Sequence, residues 1–325
     1  MLTKRWPFIL TGSLLITGII IGSFFDLQIN KALFSDRNLF GIIITSFSLA
    51  LGYASLPFLG GILFRITLKQ KFPRWAIAIL HLISLASIGI ATYFSGKEPF
   101  SVNSFNIPGI EYTLLATGIS LVFQTGVFFI SFKLSKNSEF NPRMFIVLII
   151  FMLAVFVALV PGVTVVKSIM HRPRYRIVQL GEVKFYEWWK PCKNYKDFIT
   201  DVVTKEEFKS FPSGHAGTSF FLTLLLTAIP VIFPKTRKYE ILLFFIGFSY
   251  SMFVGFVRML LGAHFLSDVC WGMMISFICL LISNIISRKI LQNSKEKIQE
   301  NYLKELKCIK FWLRIWTIRP CWTDI

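Results

Sequence analysis

Hydrophobic positions along the chain fall into eight long blocks, at residues 8–25, 39–64, 75–95, 111–133, 144–166, 215–234, 241–261 and 265–287. An α-helix needs about 20 apolar residues to cross the hydrocarbon core of a bilayer. Backbone inside lipid must satisfy its own hydrogen bonds, which a helix does. The pattern predicts an all-α, polytopic membrane helix bundle with about eight transmembrane helices. The first block follows Lys4 and Arg5, as in a signal peptide, but no small-x-small cleavage site follows at Ser23-Phe24-Phe25-Asp26. It is expected to stay as an anchor.

Composition agrees with a bilayer as the solvent. Of 325 residues, 54% are hydrophobic and 16% charged, below the ~25% charged of an average soluble domain. Disordered, collagen-like and coiled-coil classes are excluded, since they need low hydrophobicity, a strict glycine period or a charged heptad surface. The 35 basic and 17 acidic residues leave a net charge of +18. That excess segregates. With the N-terminus in the cytoplasm, the inner loops hold Lys4 and Arg5, then Arg65, Lys69, Lys71 and Arg74, then Lys133, Lys136 and Arg143, then Lys235, Arg237 and Lys238. The outer loops 26–38 and 96–110 carry only Lys31, Arg37 and Lys97. This is the positive-inside pattern. It places both termini in the cytoplasm of a multi-pass cell-membrane protein and makes nucleic acid an unsuitable partner. Residues 1–287 read as a single transmembrane domain. Residues 288–325 read as a basic amphipathic tail on the inner leaflet, with Leu306, Phe311, Trp312 and Trp316 on its apolar side. The five cysteines form no CxxC pair and no metal-ligand spacing.

One outer segment breaks the charge rule. Residues 167–214 hold ten basic and six acidic side chains. Positive charge on that side needs another cause, and an anion site supplies one. The aromatic group Phe185, Tyr186, Trp188 and Trp189 fits either a head-group anchor or a substrate contact.

Three polar clusters stand at the outer ends of spans. They are Lys167-Ser-Ile-Met-His-Arg-Pro-Arg174, then Pro212-Ser213-Gly214-His215, then Arg258-x5-His264-x3-Asp268. Ionisable groups at membrane spans are costly and mark functional sites. In a helix Lys167 and Arg174, seven apart, share a face, and Asp268 can hold one nitrogen of His264 from one turn away. Ser213 and Gly214 precede a predicted helix start, where free N–H groups favour an anion. Two histidines and three cations suit a phosphate: cations neutralise its oxygens, one imidazole attacks and another protonates the leaving group. His81, mid-span, reads as structural, and His171 as a neighbour of the site.

The three clusters resemble, in order, the KxxxxxxRP, PSGH and SRxxxxxHxxxD motifs of the type 2 phosphatidic acid phosphatase (PAP2) superfamily. The resemblance covers about residues 144–287 and implies a six-helix catalytic core, to which this chain adds two early spans. It implies a membrane lipid phosphatase acting on a lipid phosphomonoester or diphosphate through a phosphohistidine intermediate, with its site on the outer face. His264 would be the nucleophile, oriented by Asp268, and His215 the general acid. Lys167, Arg174, Ser213, Gly214 and Arg258 would bind phosphate. No metal or other cofactor is implied. The expected partners are a lipid phosphate substrate and the surrounding membrane lipids. Two positions depart from the motifs. Tyr175 follows Arg174 where the family has proline, although Arg172-Pro173 stands two residues earlier, and Val257 replaces the serine of the third motif. Arg172 is thus a rival to Arg174 as phosphate ligand. A phosphotransferase using a lipid or sugar acceptor would share every motif. A non-catalytic membrane protein would be expected to have lost a chemical residue, and both histidines and Asp268 are present.

Overall fold

The computed structural model describes residues 4–36, 38–101, 105, 109–141, 143–200 and 203–316, with residues 293–316 described as backbone alone. Twelve α-helices are described: α1 (Trp6–Leu33), α2 (Leu39–Tyr53), α3 (Ser55–Lys69), α4 (Arg74–Gly96), α5 (Ile110–Leu134), α6 (Met144–Val157), α7 (Val166–Met170), α8 (Tyr175–Gln179), α9 (Gly214–Ser219), α10 (Phe221–Ile232), α11 (Glu240–Leu260) and α12 (Leu266–Trp316). There is no strand among the described residues. Singly or in joined pairs, these helices make eight segments long and apolar enough to cross a membrane, as the eight hydrophobic blocks predict. This is a multi-pass membrane helix bundle.

Its surface shows why a bilayer is needed. Phe24, Ile110 and Val122 are 71%, 76% and 74% exposed, and apolar side chains cover the outward faces of α1, α4 and α5. Such area in water would drive association. Polar side chains instead turn inward and tie the helices. Ser95 of α4 lies 2.7 Å from Ser120 of α5, and the Gln124 amide donates to the Ala50 carbonyl of α2 at 3.1 Å.

Three spans differ from uniform rods, each for a local reason. The first is longer than its hydrophobic block: α1 runs to Leu33, so Asp26 lies buried on a helix rather than in an outer loop. The second is broken at Ala54, because Pro57 has no N–H to offer the carbonyl one turn earlier. The fifth widens into a π-turn at Ala158–Val165 around Pro161, with the Thr164 hydroxyl donating to the Leu159 carbonyl at 3.1 Å. α12 continues past the eighth block to Trp316 without a break. The amphipathic reading of the tail rests on Leu306, Phe311, Trp312 and Trp316, whose side chains lie outside the described residues, as do Arg37 and residues 317–325.

α9 holds the centre, in contact with α2, α11, α12 and the π-turn. A Cβ on Gly272 of α12 would strike the Ser213 carbonyl, so glycine is required for the approach of α12 to the start of α9. Above this end, the segment 167–214 folds over a small separate core of Ile177, Val183, Cys192, Tyr195, Val203 and Phe208. His171 belongs to this cover, stacking on Tyr195 at 3.8 Å. His81 stacks on Phe64 at 4.1 Å and meets the Thr67 hydroxyl at 2.7 Å, a structural role. Trp188 donates to the Ser23 hydroxyl at 2.9 Å and packs on Phe211 and Trp271, and Phe185 packs on Phe265. These aromatics clamp the cover to α1 and α12; Trp189, 47% exposed, remains free to face a head-group layer.

Cys192 is fully buried in the cover, and burial raises its thiol pKa. It should therefore resist a maleimide in the folded protein and react once the chain is denatured. Rapid labelling of the native protein would contradict this packing.

Candidate active site

The residues of the three clusters meet at one end of the bundle. The third cluster begins where α11 stops. Gly262 takes a left-handed φ of 61°, Ala263 N–H bonds the Arg258 carbonyl at 3.1 Å, and Gly262 N–H bonds the Met259 carbonyl at 2.9 Å. This pair of bonds is a Schellman stop. It turns the chain so that Arg258 stays on α11 while His264 enters the site from a loop. α12 starts only at Leu266, so His264 and Asp268 do not share a helix, contrary to the spacing argument.

The orienting contact of His264 differs accordingly. Its Nδ1 lies 4.0 Å from the Asp268 carboxylate but 2.6 Å from the backbone carbonyl of Ser210. A carbonyl only accepts, so Nδ1 carries the proton and Nε2 keeps its lone pair. Asp268 acts at one remove. It accepts from the Ser210 hydroxyl at 2.5 Å, from Arg172 at 2.5 Å, and from Phe265 N–H at 2.9 Å, which caps α12. Ser210 is thus a site residue that spacing could not reveal, because it belongs to no recognised motif.

Arg172 and Arg174 take separate tasks. The chain leaves the helix at Met170, and His171 adopts a left-handed φ of 45°. Lys167 and Arg174 are therefore not on one helix face; the turn after α7, not helical register, decides which arginine faces the site. Arg172 points into the protein and is held by Asp26 of α1 at 2.9 Å, Asp268 of α12, the Ser267 hydroxyl at 2.9 Å and the Tyr186 carbonyl at 2.8 Å. Phe265 lies under its guanidinium at 4.3 Å. The Ser267 hydroxyl and Asp26 are in contact as well. Arg172 thus directs four hydrogen bonds, from all three of its guanidinium nitrogens, at protein groups. Arg174 is buried too, but its electrostatic neighbours are Arg176, Glu207, Glu206, Glu98 and Arg258. Its backbone N–H bonds the Glu207 carbonyl at 2.9 Å, and the Glu207 carboxylate takes Arg176 at 2.7 and 2.5 Å. Burial favours the protonated form of Glu207, yet Arg176 and Arg174 outweigh it and hold the carboxyl below its ordinary range.

Lys167 reaches the same place. Its ammonium donates to the Lys209 carbonyl at 2.8 Å, and a Cβ on Gly214 would lie 3.9 Å from Nζ. Gly214, at the start of α9, thus lies beside this cation. Ser213 caps α9 through Ala216 N–H at 3.4 Å, and its own N–H bonds the Asp268 carbonyl at 2.9 Å. Arg258, fully buried, donates to the Thr45 hydroxyl of α2 at 3.2 Å. Lys167, Arg174, Arg258 and His215 all act electrostatically on His264. Burial first, then those cations, lower the His264 pKa well below its usual value, so the ring stays neutral.

His215 has a partner from outside the motifs. Glu98, in the loop after α4, places Oε1 2.9 Å from His215 Nε2, and both side chains are buried. Neither atom makes a well-aligned hydrogen bond, so both can re-aim toward a ligand. Burial raises the pKa of Glu98, but His215, Arg258 and Arg174 outweigh it and keep the group a carboxylate. A single glutamate in a loop carries no sequence signal. The arrangement as a whole is a buried neutral imidazole that keeps its Nε2 lone pair, a second imidazole with a counter-charge, and three cations that act on the first. It suits an incoming anion that is attacked at one side and protonated at the other. No group of three or more His, Cys, Asp or Glu side chains among the described residues forms a metal cluster.

The PAP2 superfamily model matches residues 144–291. The matched stretch holds all three clusters, while α1 to α5, with Asp26, Thr45 and Glu98, lie outside it. No curated protein and no solved structure matches the chain.

The two arginines should fail differently. Arg172→Ala strands Asp26 and Asp268 in a buried place, which costs about 3–5 kcal/mol, so melting in detergent should drop sharply. Arg174→Ala should melt close to the parent yet lose about ten- to a hundredfold in phosphatase activity, the worth of one charge-assisted contact. The reverse pattern would exchange their assignments.

Proposed function

We propose that this PAP2 superfamily domain, completed by the N-terminal spans, is a membrane lipid phosphatase that hydrolyses a phosphomonoester or diphosphate of a lipid on the outer face of the cell membrane. The observation that carries the reading is the His264 ring pinned through Nδ1 to the Ser210 carbonyl, within the electrostatic reach of Lys167, Arg174, Arg258 and His215.

The chemistry follows from these groups. Lys167, Arg174 and Arg258, with Ser213 and Gly214 at the start of α9, hold the phosphoryl oxygens and offset the charge that builds on them. His264 Nε2 attacks phosphorus as the bond to the leaving oxygen breaks, giving a phosphohistidine. The proton stays on Nδ1, which donates it to the Ser210 carbonyl, and that bond steadies the cationic ring. His215 gives its proton to the leaving oxygen, and Glu98 supplies the counter-charge while His215 is protonated. His215 then takes a proton from water, whose oxygen attacks phosphorus and frees His264. Asp268 is a positioning residue that sets Ser210 and Arg172. The exposed apolar girdle of the spans fits a substrate that arrives from the bilayer.

Phosphate release from a panel of phosphatidate, phosphatidylglycerol phosphate and undecaprenyl diphosphate tests the reading. Release from at least one supports it. No release from any of the three, with the phosphoryl group recovered instead on an added lipid or sugar acceptor, would replace hydrolysis by transfer.

His215→Ala and Glu98→Gln should both slow alkyl phosphates more than p-nitrophenyl phosphate, whose leaving group needs little protonation. Equal losses on both substrates would remove His215 and Glu98 from proton delivery. The depressed His264 pKa gives a pH expectation. The nucleophile must be neutral, so the acid limb of kcat/KM should lie below about 6.5, the ordinary imidazole value. A limb at or above that value would contradict the neutral ring.

Sidedness has its own test. Lys190, exposed on the cover, and Lys235, between α10 and α11, are replaced singly by cysteine. An impermeant thiol reagent on intact cells should label Lys190→Cys and spare Lys235→Cys. The opposite labelling would invert the orientation.

A further inference from the structure

The other end of the bundle carries a second anion-directed cavity. α12 leaves the candidate site at Leu266, and at about 1.5 Å per residue Asn284 to Lys289 lie roughly 30 Å away along it. α1 runs the opposite way. Its Asn30 amide bonds the His264 carbonyl at 3.0 Å, so its first turns lie at the far end. Between the two helices there opens a cavity of about 750 Å³. That volume lies within the roughly 300–1,000 Å³ of ligand pockets.

Its lining is divided. Lys4 and Arg5, just before α1, with Arg288 and Lys289 from α12, stand at the membrane-boundary end, and no carboxylate among the described residues lines the cavity. Glu240 of α11 stands near Arg288 and offsets part of one charge. Deeper in, the walls are Phe8, Ile16, Phe277 and Leu281. Cations over an apolar wall match a phosphate over hydrocarbon chains. Asn284 adds a more specific feature. It is 3% exposed, lines the cavity, and its Oδ1 has no hydrogen-bond partner among the described residues. Snorkelling cations alone do not leave a buried acceptor unmet beneath them. An amide oxygen only accepts, so the group that completes it brings an O–H or N–H.

We propose that this groove binds one anionic glycerophospholipid with a hydroxyl-bearing head group. The four cations meet its phosphodiester, Asn284 Oδ1 accepts from the head-group hydroxyl, and an acyl chain lies along Phe8 and Phe277. The occupant is a lipid and not free phosphate, because more than half of the lining is apolar and would stay uncovered by an ion. The proposal does not depend on the catalytic reading, since a phosphodiester here lies far from His264 and needs no turnover.

The test uses the full-length protein, extracted from nanodiscs of phosphatidylcholine containing a minor fraction of phosphatidylglycerol. Native mass spectrometry counts the retained lipids. One phosphatidylglycerol should stay bound in preference to phosphatidylcholine. Each cation near an anionic lipid is worth about fivefold, so Arg5→Gln with Arg288→Gln should lower retention at least about tenfold. Lys235→Gln with Lys238→Gln removes as much charge from between α10 and α11, outside the groove, and should change retention less than about twofold. Asn284→Leu should narrow the preference for phosphatidylglycerol over phosphatidate, which has no head-group alcohol. Millimolar inorganic phosphate should not displace the lipid. Equal losses in the two charge variants would reduce the effect to diffuse surface attraction and overturn the proposal. So would absence of a retained phosphatidylglycerol or ready displacement by phosphate. An unchanged lipid preference in Asn284→Leu would overturn the head-group assignment.

Discussion

The site depends on one buried carboxylate. Asp268 receives Arg172, the Ser210 hydroxyl and the Phe265 N–H, and so joins the first turn of α12 to the cover segment and, through Arg172, to Asp26 of α1. A charge taken out of water at this depth is stable only when fully paired. Arg172, shared by two carboxylates and stacked on Phe265, meets that condition. The consequence for chemistry is indirect. Asp268 fixes Ser210, and the Ser210 carbonyl fixes His264. The aspartate four residues after the histidine is therefore a keystone of the loop, not a direct partner of the ring.

Around that loop the charges leave room for an anion. Lys167, Arg174 and Arg258 act on one another, while Glu98, Glu206, Glu207 and Asp268 offset part of their charge. Three cations in low dielectric repel one another, and a phosphate dianion would relieve that repulsion while being polarised by it. Two of the contributors, Thr45 of α2 against Arg258 and Glu98 of the loop after α4 against His215, lie outside the stretch that the PAP2 superfamily model matches. The segments before residue 144 thus help to build the surroundings of His215 and Arg258 as well as the bundle.

Much of this was legible in the sequence. The eight spans follow from block length alone, because a bilayer sets one hydrophobic thickness for every helix. The three clusters were legible because ionisable residues at span ends are rare. What escaped was local geometry. The i,i+4 spacing of His264 and Asp268 suggested a shared helix, but the Gly262 turn ends α11 and delays α12 until Leu266. The seven-residue step from Lys167 to Arg174 suggested a helix face, but the chain turns at His171. Arg174 still faces the cations, so the expected residue stands there for a different reason. Asp26 read as a loop residue because the hydrophobic block stops before it, while the helix continues once Arg172 neutralises it. Glu98 and Ser210 carry no pattern at all, since tertiary contact alone gives them meaning.

The central claim is that a backbone carbonyl, not a carboxylate, sets the His264 tautomer and so decides which nitrogen takes phosphorus. Rapid quenching of the enzyme with a radioactive phosphate substrate, followed by alkaline digestion and separation of the two phosphohistidine isomers, reads this directly. The account predicts phosphorus on Nε2 of His264 and no label in a His264→Ala protein. Phosphorus on Nδ1, or labelled phosphohistidine persisting without His264, would contradict it.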